Sequence, residues 1–449
     1  MNRSQTITLR RWLLAQCHRE DAVGRLARRW VQETAGQKYD DSESWLENLS
    51  RESAWQPAVS TARAEFAAAL ECLKRGGSSP TFPRVFASPR YEQHLERSFT
   101  KHRNELDVSP SAYLRRKHFG LQNALQSRTL IYLDTNHWVN LRHVWLGSRL
   151  ALTVYRDIFG LLDNLAKKGR ILCPVSFPLF LELMKQNDEG TRFATAWLMD
   201  CFSGGVCLQY PRELQRLELR QRILQVVLGE RAPDLKEWVW TKAGYLFGEL
   251  LPVNKTFSQP DIDFFQKVSI DGMWTLPLEY FAEMDPSEIS TLPEQQLADA
   301  TNSDAAWYRE ARLSFEEVLI REKAYLVRLL KGDMAQIARE IWEEYPNHRD
   351  VSRMPEIRED EFDHWALPSV QVLAGVNAGL ITSQKKFSAN DLLDFQHAAL
   401  AVPYCDALFC DGGLAQVLRT KPLEFGKIYE TVILSRPNEI VEYLGGLVR

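Results

Sequence analysis

The sequence predicts a mixed α/β protein: a small parallel sheet sandwiched by helices, split by a long helical insertion and preceded by a small all-helical domain. Three observations predict it. Short apolar runs rich in β-branched and aromatic residues recur at 129–133, 170–176, 205–210, 407–410 and 429–434, with helical patterns between them, the alternation that builds parallel sheets. Between about Leu214 and Val372 the strand pattern vanishes and apolar residues keep helical spacing. Finally, 449 residues exceed what one hydrophobic core usually supports.

Composition narrows the functional classes. Hydrophobic residues at 45% and charged residues at 25% are the balance of an ordinary globular protein, so disorder is not the default. A net charge of −4 means that any nucleic-acid contact has to come from a local basic patch. The seven cysteines are odd in number and scattered without a C-x-x-C spacing, which disfavours a disulfide framework or a structural zinc and fits a reducing cytoplasm. No stretch reaches the ~20 apolar residues of a membrane span, and arginines interrupt the apolar run of residues 1–15, unlike a signal peptide. The expectation is a soluble, cytoplasmic protein without a membrane partner.

The amino-terminal unit, 1–75, places Trp12, Leu13, Leu26, Ala27, Trp30, Trp45, Leu46 and Leu49 at helical spacing as core residues. An alanine-rich helix over 62–73 closes it, and Gly76-Gly77-Ser78-Ser79-Pro80 opens a linker and helical connector over 76–127. The pattern Trp12-Leu13, Gln16, Arg19, Asp21, Val23-Gly24, Leu26-Ala27, Tyr39-Asp40, Trp45-Leu46 resembles the YozE-type helical module with a sterile-alpha-motif-like fold, over about residues 6–74. That resemblance implies a binding or scaffolding role; a generic helical bundle is the plainer reading.

The first α/β segment, 128–213, begins with the strand 129–133, which ends at Asp134-Thr135-Asn136 before a helix rich in Val, Leu and Trp. The strand 170–176 leads into a helix over 177–185 that continues past Asp188-Glu189-Gly190, and 205–210 is a third strand. After the insertion, 214–371, the second segment, 372–449, holds a helix from Asp391 through Ala401, the strand 407–410, the strand 429–434 and a closing helix over 437–444.

Four acids fall at strand ends or on adjacent helices, where open parallel sheets place their ligands: Asp134, Glu182, Asp394 and Asp411. Each has a plainer reading. Asp134 could cap the next helix, Glu182 could face solvent on an amphipathic helix, and the glycines after Asp411 suit a simple turn as well as a close approach of a ligand. Asp391 is either an assistant to Asp394 or an N-terminal acid that complements the helix dipole, with the second reading preferred. Asp406 is expected to cap or initiate its strand.

The order strand-Asp134, helix-Glu182, Asp394-Phe395-Gln396-His397-Ala398-Ala399-Leu400-Ala401 and strand-Asp411, followed by a terminal strand, resembles the PIN domain over 128–213 and 372–446. The resemblance implies that Asp134, Glu182, Asp394 and Asp411 are both the catalytic residues and the ligands of Mg²⁺ or Mn²⁺, with Asn136 as the polar residue after the first aspartate. It implies a metal-dependent endonuclease. The chemistry is coherent, because clustered carboxylates repel and a hard divalent cation relieves that repulsion. Two features depart from the family: the length of the insertion, and His137-Trp138 after the first motif. His137 is a candidate phosphate contact, although ordinary packing is the plainer reading of both His137 and His397, since the chemistry needs no histidine.

Further candidate substrate contacts are Arg115 and Arg116 in the run 115–118, and Lys385 and Lys386. Tyr113, Phe119 and Phe387 beside them could stack on unpaired bases. The absence of G-x-x-x-x-G-K-[ST], G-x-S-x-G and H-E-x-x-H motifs removes support for nucleotide hydrolysis, serine hydrolysis and zinc proteolysis. The expected substrate is single-stranded nucleic acid, RNA favoured over DNA, in a toxin or anti-phage setting. A regulatory protein partner or self-association through the amino-terminal unit or the insertion is also expected. The alternative is a catalytically inactive PIN-like scaffold that binds nucleic acid or protein.

Overall fold

β1 (Thr129–Leu133) is the predicted run residue for residue, and four of its five side chains are buried. The computed structural model describes residues 13, 21–34, 42–74, 89–105, 107–186, 188–228, 234–248, 257–284, 294–345, 367–383 and 385–448. β1 lies inside a parallel four-stranded sheet of order β2-β1-β5-β6, with β2 at Ile171–Leu172, β5 at Ala407–Phe409 and β6 at Val432–Leu434. Thr129 pairs with Ile171, Ile131 with Ala407, and Ala407 with Val432. β1 and β5 are buried on both faces by helices, which is why they read as continuous apolar runs and not as alternating ones. Asp406 locks their register: its carboxylate accepts from the Leu130 amide at 2.7 Å, while its own amide donates to the Leu130 carbonyl at 2.9 Å.

Several predicted elements are shorter than expected. Only Ile171–Leu172 of 170–176 pairs regularly, because Pro174 has no amide to donate and Ser176 already caps the next helix; Val175 makes one isolated bridge to Cys207. β3 is Val206–Leu208, within the expected 205–210. Of 429–434 only β6 is extended, since a short helix occupies Phe425–Ile428 and Glu430 takes a left-handed conformation with φ 58°. The helix expected to run on past Gly190 is two, Phe177–Met184 and Glu189–Ser203, because Asp188 caps the second through the Thr191 amide. The closing helix runs Pro437–Val448.

The insertion also differs from an all-helical reading. β4 (Trp240–Lys242) pairs antiparallel with β3, so a strand from the insertion completes a separate two-stranded sheet with β3. Trp240 and Lys242 flank a single threonine, too short a run to stand out from helical periodicity. The insertion is packed into the main core: Trp240, Leu278, Phe281, Ala305 and Val318 share one cluster with β1 and β5. Asp200 fixes one of its helices, Leu278–Ala282, by accepting the Leu278 and Glu279 amides at 2.9 Å each. A second insertion cluster joins Leu219, Ile223, Val327, Leu330 and Ile341.

In the amino-terminal unit, helices at Ala22–Thr34, Ser42–Ser50 and Gln56–Lys74 bury Leu26, Ala27, Trp30, Leu46 and Leu49 together with Leu13, as the spacing predicts, and Trp45 packs at the margin. Leu146 and Ala194 of the α/β region join the same cluster. Trp12, Gln16, Arg19, Tyr39, Asp40 and the linker 76–80 lie outside the described residues. Cys173, Cys201, Cys207, Cys405 and Cys410 are free thiols. Among the described residues no helix is long and apolar enough to cross a membrane.

Candidate metal centre

Asp134 and Asp411 leave neighbouring parallel strands at the same edge of the sheet, so the register of β1 against β5 brings them close before any side-chain choice is made. Glu182 comes from the helix after β2 and Asp394 from the Ala389–Ala401 helix, which packs against the Glu182 helix. Asp134 is 8% exposed and occupies the N-cap position of the Thr135–Trp145 helix without a side-chain capping bond. Burial pushes its carboxyl up, and repulsion from Glu182 and Asp411 adds to that while His397 opposes it. Asp394 is pushed up to about 7, first by burial, then by the negative charges of Asp134 and Asp411. Asp394 and Asp411 thus lie within electrostatic reach of Asp134, but of the four predicted acids only Asp134 and Glu182 belong to the group whose ligand atoms converge.

His397 is the residue that the sequence reading undervalued. It is 1% exposed and is held at both ring nitrogens: Nε2 lies 3.1 Å from Glu182 Oε2, and Nδ1 lies 2.6 Å from the Tyr132 hydroxyl. The Tyr132 hydroxyl is itself 2.5 Å from Ser176 Oγ. Burial disfavours the imidazolium, but Glu182 and the other acids outweigh it and raise the His397 pKa. Glu182 is also opposed by burial, yet the His397 contact and a hydrogen bond donated by the Thr135 hydroxyl hold its carboxyl below the usual range. Asp134, Glu182 and His397 each offer a ligand atom within 4.8 Å of the others. The available sequence signal was the i, i+3 spacing from Asp394 to His397, which puts both on one helix face.

The donor set suits a hard divalent cation. It is rich in carboxylate oxygen, carries net negative charge, and keeps one buried aspartate away from the cap it could have made. Since His397 Nε2 is engaged with Glu182, its geometry is that of a residue that orients a ligand, the usual role of an outer partner in metal sites.

The other predicted residues divide clearly. Asp411 is half-buried, and its Oδ1 accepts from the Gly413 amide at 2.6 Å and the Leu414 amide at 3.1 Å. A Cβ at Gly413 would stand 3.0 Å from that oxygen, so glycine there serves the cap. Asp391 forms a capping box with Ser388 and takes Lys385 at 3.3 Å, the helix-start role. Lys385 and Lys386 are exposed. Lys385, together with Lys421, which the sequence reading missed, lines a cavity that also contains Asp394 and Asp411. Asn136 is exposed, and its carbonyl oxygens accept from Asn140.

Five expected substrate contacts are placed elsewhere or closed off. His137 is 4% exposed, shares a 2.9 Å hydrogen bond with the Tyr155 hydroxyl, and is pushed down to about 4 by burial, so it is neutral and cannot attract a phosphate. Arg115 pairs with Glu344 at 2.5 Å and lines a different cavity, with Arg220 and Trp238, while Arg116 is exposed on the same helix. Tyr113 and Phe387 are buried at 3% and 4%, which removes them as stacking platforms. Phe119 is 54% exposed.

The fold and site thus define a mixed α/β protein with an acidic cluster, braced by one imidazole, at the carboxyl edge of a small parallel sheet. The chain matches no protein-family model, no curated protein and no solved structure.

Proposed function

We propose that the chain is a PIN-like, Mg²⁺- or Mn²⁺-dependent nuclease, with Asp134, Glu182, Asp394 and Asp411 as the carboxylates of its centre. The observation that carries this reading is the convergence of Asp134, Glu182 and His397 within 4.8 Å at the carboxyl edge of the sheet, with Asp394 and Asp411 bordering the adjoining cavity. Such an arrangement opposes folding stability unless it serves a ligand, because like charges in a buried pocket repel. A bound divalent cation would supply neutralisation of the phosphate and activation of water. The protein's own residues set the geometry: Thr135 and His397 fix Glu182, the Tyr132–Ser176 pair fixes the His397 ring, and the Asp411 cap fixes the second strand end.

The test is cleavage of single-stranded RNA, single-stranded DNA and duplexes with Mg²⁺, Mn²⁺ or Zn²⁺, comparing the wild type with Asp134→Asn and Asp394→Asn. Metal-dependent cutting that both variants lose supports the reading. Failure to cut with any metal, or equal cutting by the variants, overturns it.

A further inference from the structure

Beside the carboxylates lies a cavity of about 430 Å³, inside the ~300–1,000 Å³ range of ligand pockets. Most of its surface is apolar, from Phe315, Val376, Leu380, Phe395, Val417 and Leu423, with Thr382, Ser383 and Thr420 among the polar lining. Val376, Leu380, Phe395 and Leu423 are buried, whereas Phe315 and Val417 keep part of their apolar surface uncovered. Asp391, Asp394 and Asp411 border it, and so do the exposed Lys385, which pairs with Asp391 at 3.3 Å, and Lys421. Phe315 belongs to the insertion, which also fastens the Lys385 loop: Asn302 exchanges two hydrogen bonds with the Phe387 backbone, and Arg309 donates to the Lys385 carbonyl at 2.6 Å.

Resting on the nuclease reading, we propose that this cavity is a base slot that receives one unpaired nucleobase, everted from the strand beside the phosphate to be cut. The partition of chemistry around the cavity selects that occupant. A phosphate is disfavoured in a mostly apolar cavity by its desolvation cost and by the three aspartates at the border, Asp391, Asp394 and Asp411. A planar, largely apolar base is not excluded, and it can lie against the uncovered part of the Phe315 ring. The charged backbone then stays at the mouth, where Lys385 and Lys421 reach it through solvent. A base held in a duplex cannot enter without being unpaired, so the slot selects single strands. The insertion, by contributing Phe315 and holding the Lys385 loop, is a structural part of this selection.

The experiment uses the full chain, Mn²⁺ and two kinds of substrate. Bis(p-nitrophenyl) phosphate, which has no base, reads the metal centre alone. A series of single-stranded RNA oligonucleotides with one abasic nucleotide moved along the strand reads the slot. The expected result is hydrolysis of the small diester, together with a loss of about 10- to 100-fold in cleavage at one fixed offset from the abasic position, the scale of a lost base–aromatic stack. Hydrolysis of the small diester with equal cleavage across the abasic series overturns the slot and leaves the nuclease reading standing. No hydrolysis of any substrate overturns both. A metal-free readout is the emission of a single 2-aminopurine placed along the same strand in EDTA. It should change at that offset for the wild type and not for V417W, which fills the cavity; no position-dependent change counts against the slot.

Discussion

Asp134 and Asp411 follow adjacent parallel strands, and both occupy the N-cap position of the next helix with φ of −65° and ψ of 156° and 163°. Backbone geometry is the same, but the carboxylates behave differently. Asp411, followed by Gly412-Gly413, turns onto its helix and accepts two amides while staying half-exposed. Asp134, followed by Thr135, makes no capping bond and is buried against Glu182 and His397, and the Thr135 hydroxyl serves Glu182. One aspartate thus stabilises a helix. The other is held at a cost in stability, which is the expected signature of a functional position.

That contrast can be broken by substitution. The largest effect is expected for Asp134→Asn: loss of nuclease activity by more than the ~10–100-fold that outer partners of metal sites carry, together with a higher thermal midpoint for the metal-free protein, since a buried repelling charge is removed. Thermal denaturation in EDTA checks the second half; a lower midpoint would contradict the contrast. Next is His397→Phe, which keeps the ring volume but frees Glu182; it should cost about 10–100-fold in metal affinity or activity, measured by metal titration. Asp411 separates cap from charge. Asp411→Ala should be less stable than Asp411→Asn by about 0.5–2 kcal/mol, because asparagine retains the cap, as urea denaturation of the metal-free variants would show.

The smallest effect sharpens the same point at a buried acid away from the centre. Glu218 accepts the Ser369 amide at 2.8 Å, the Ser369 hydroxyl at 2.9 Å and the Tyr404 hydroxyl, but complete burial pushes it up to about 7. An acid whose folded pKa is raised binds more protons in the folded state, so stability is greatest below its unfolded value of 4.5 and falls as pH rises toward about 7. Glu218→Gln should flatten that fall, with a gain over the wild type at pH 8 relative to pH 5 of at most the order of 3 kcal/mol. Urea titrations at the two pH values would show it; parallel curves for the two proteins would count against it.

Much of the site was legible because its residues sit at strand ends, and strand ends are marked locally. The run 129–133, the acids Asp134 and Asp411 and the helix through Asp394 could be read from apolar patterning and its interruption. Arg115, Tyr113 and Phe387 could not be read correctly, since what decided them was a partner far along the chain or a covering neighbour: Glu344 for Arg115, Asp271 for Tyr113, Asn302 at the Phe387 backbone.

The sequence by itself determined the alternation of strand and helix, the edge of the sheet where acids gather, and the interruption of the α/β region after β3. These depend on residues within a few positions of one another, where hydrophobic period and turn chemistry suffice. Only the tertiary structure decided that His397 braces Glu182, that Asp411 caps while Asp134 does not, and that the insertion pairs β4 with β3 and adds Phe315 to a cavity beside the acids. Each of these is a choice among partners that distant segments bring together, and burial and electrostatic fields exist only once those segments have packed.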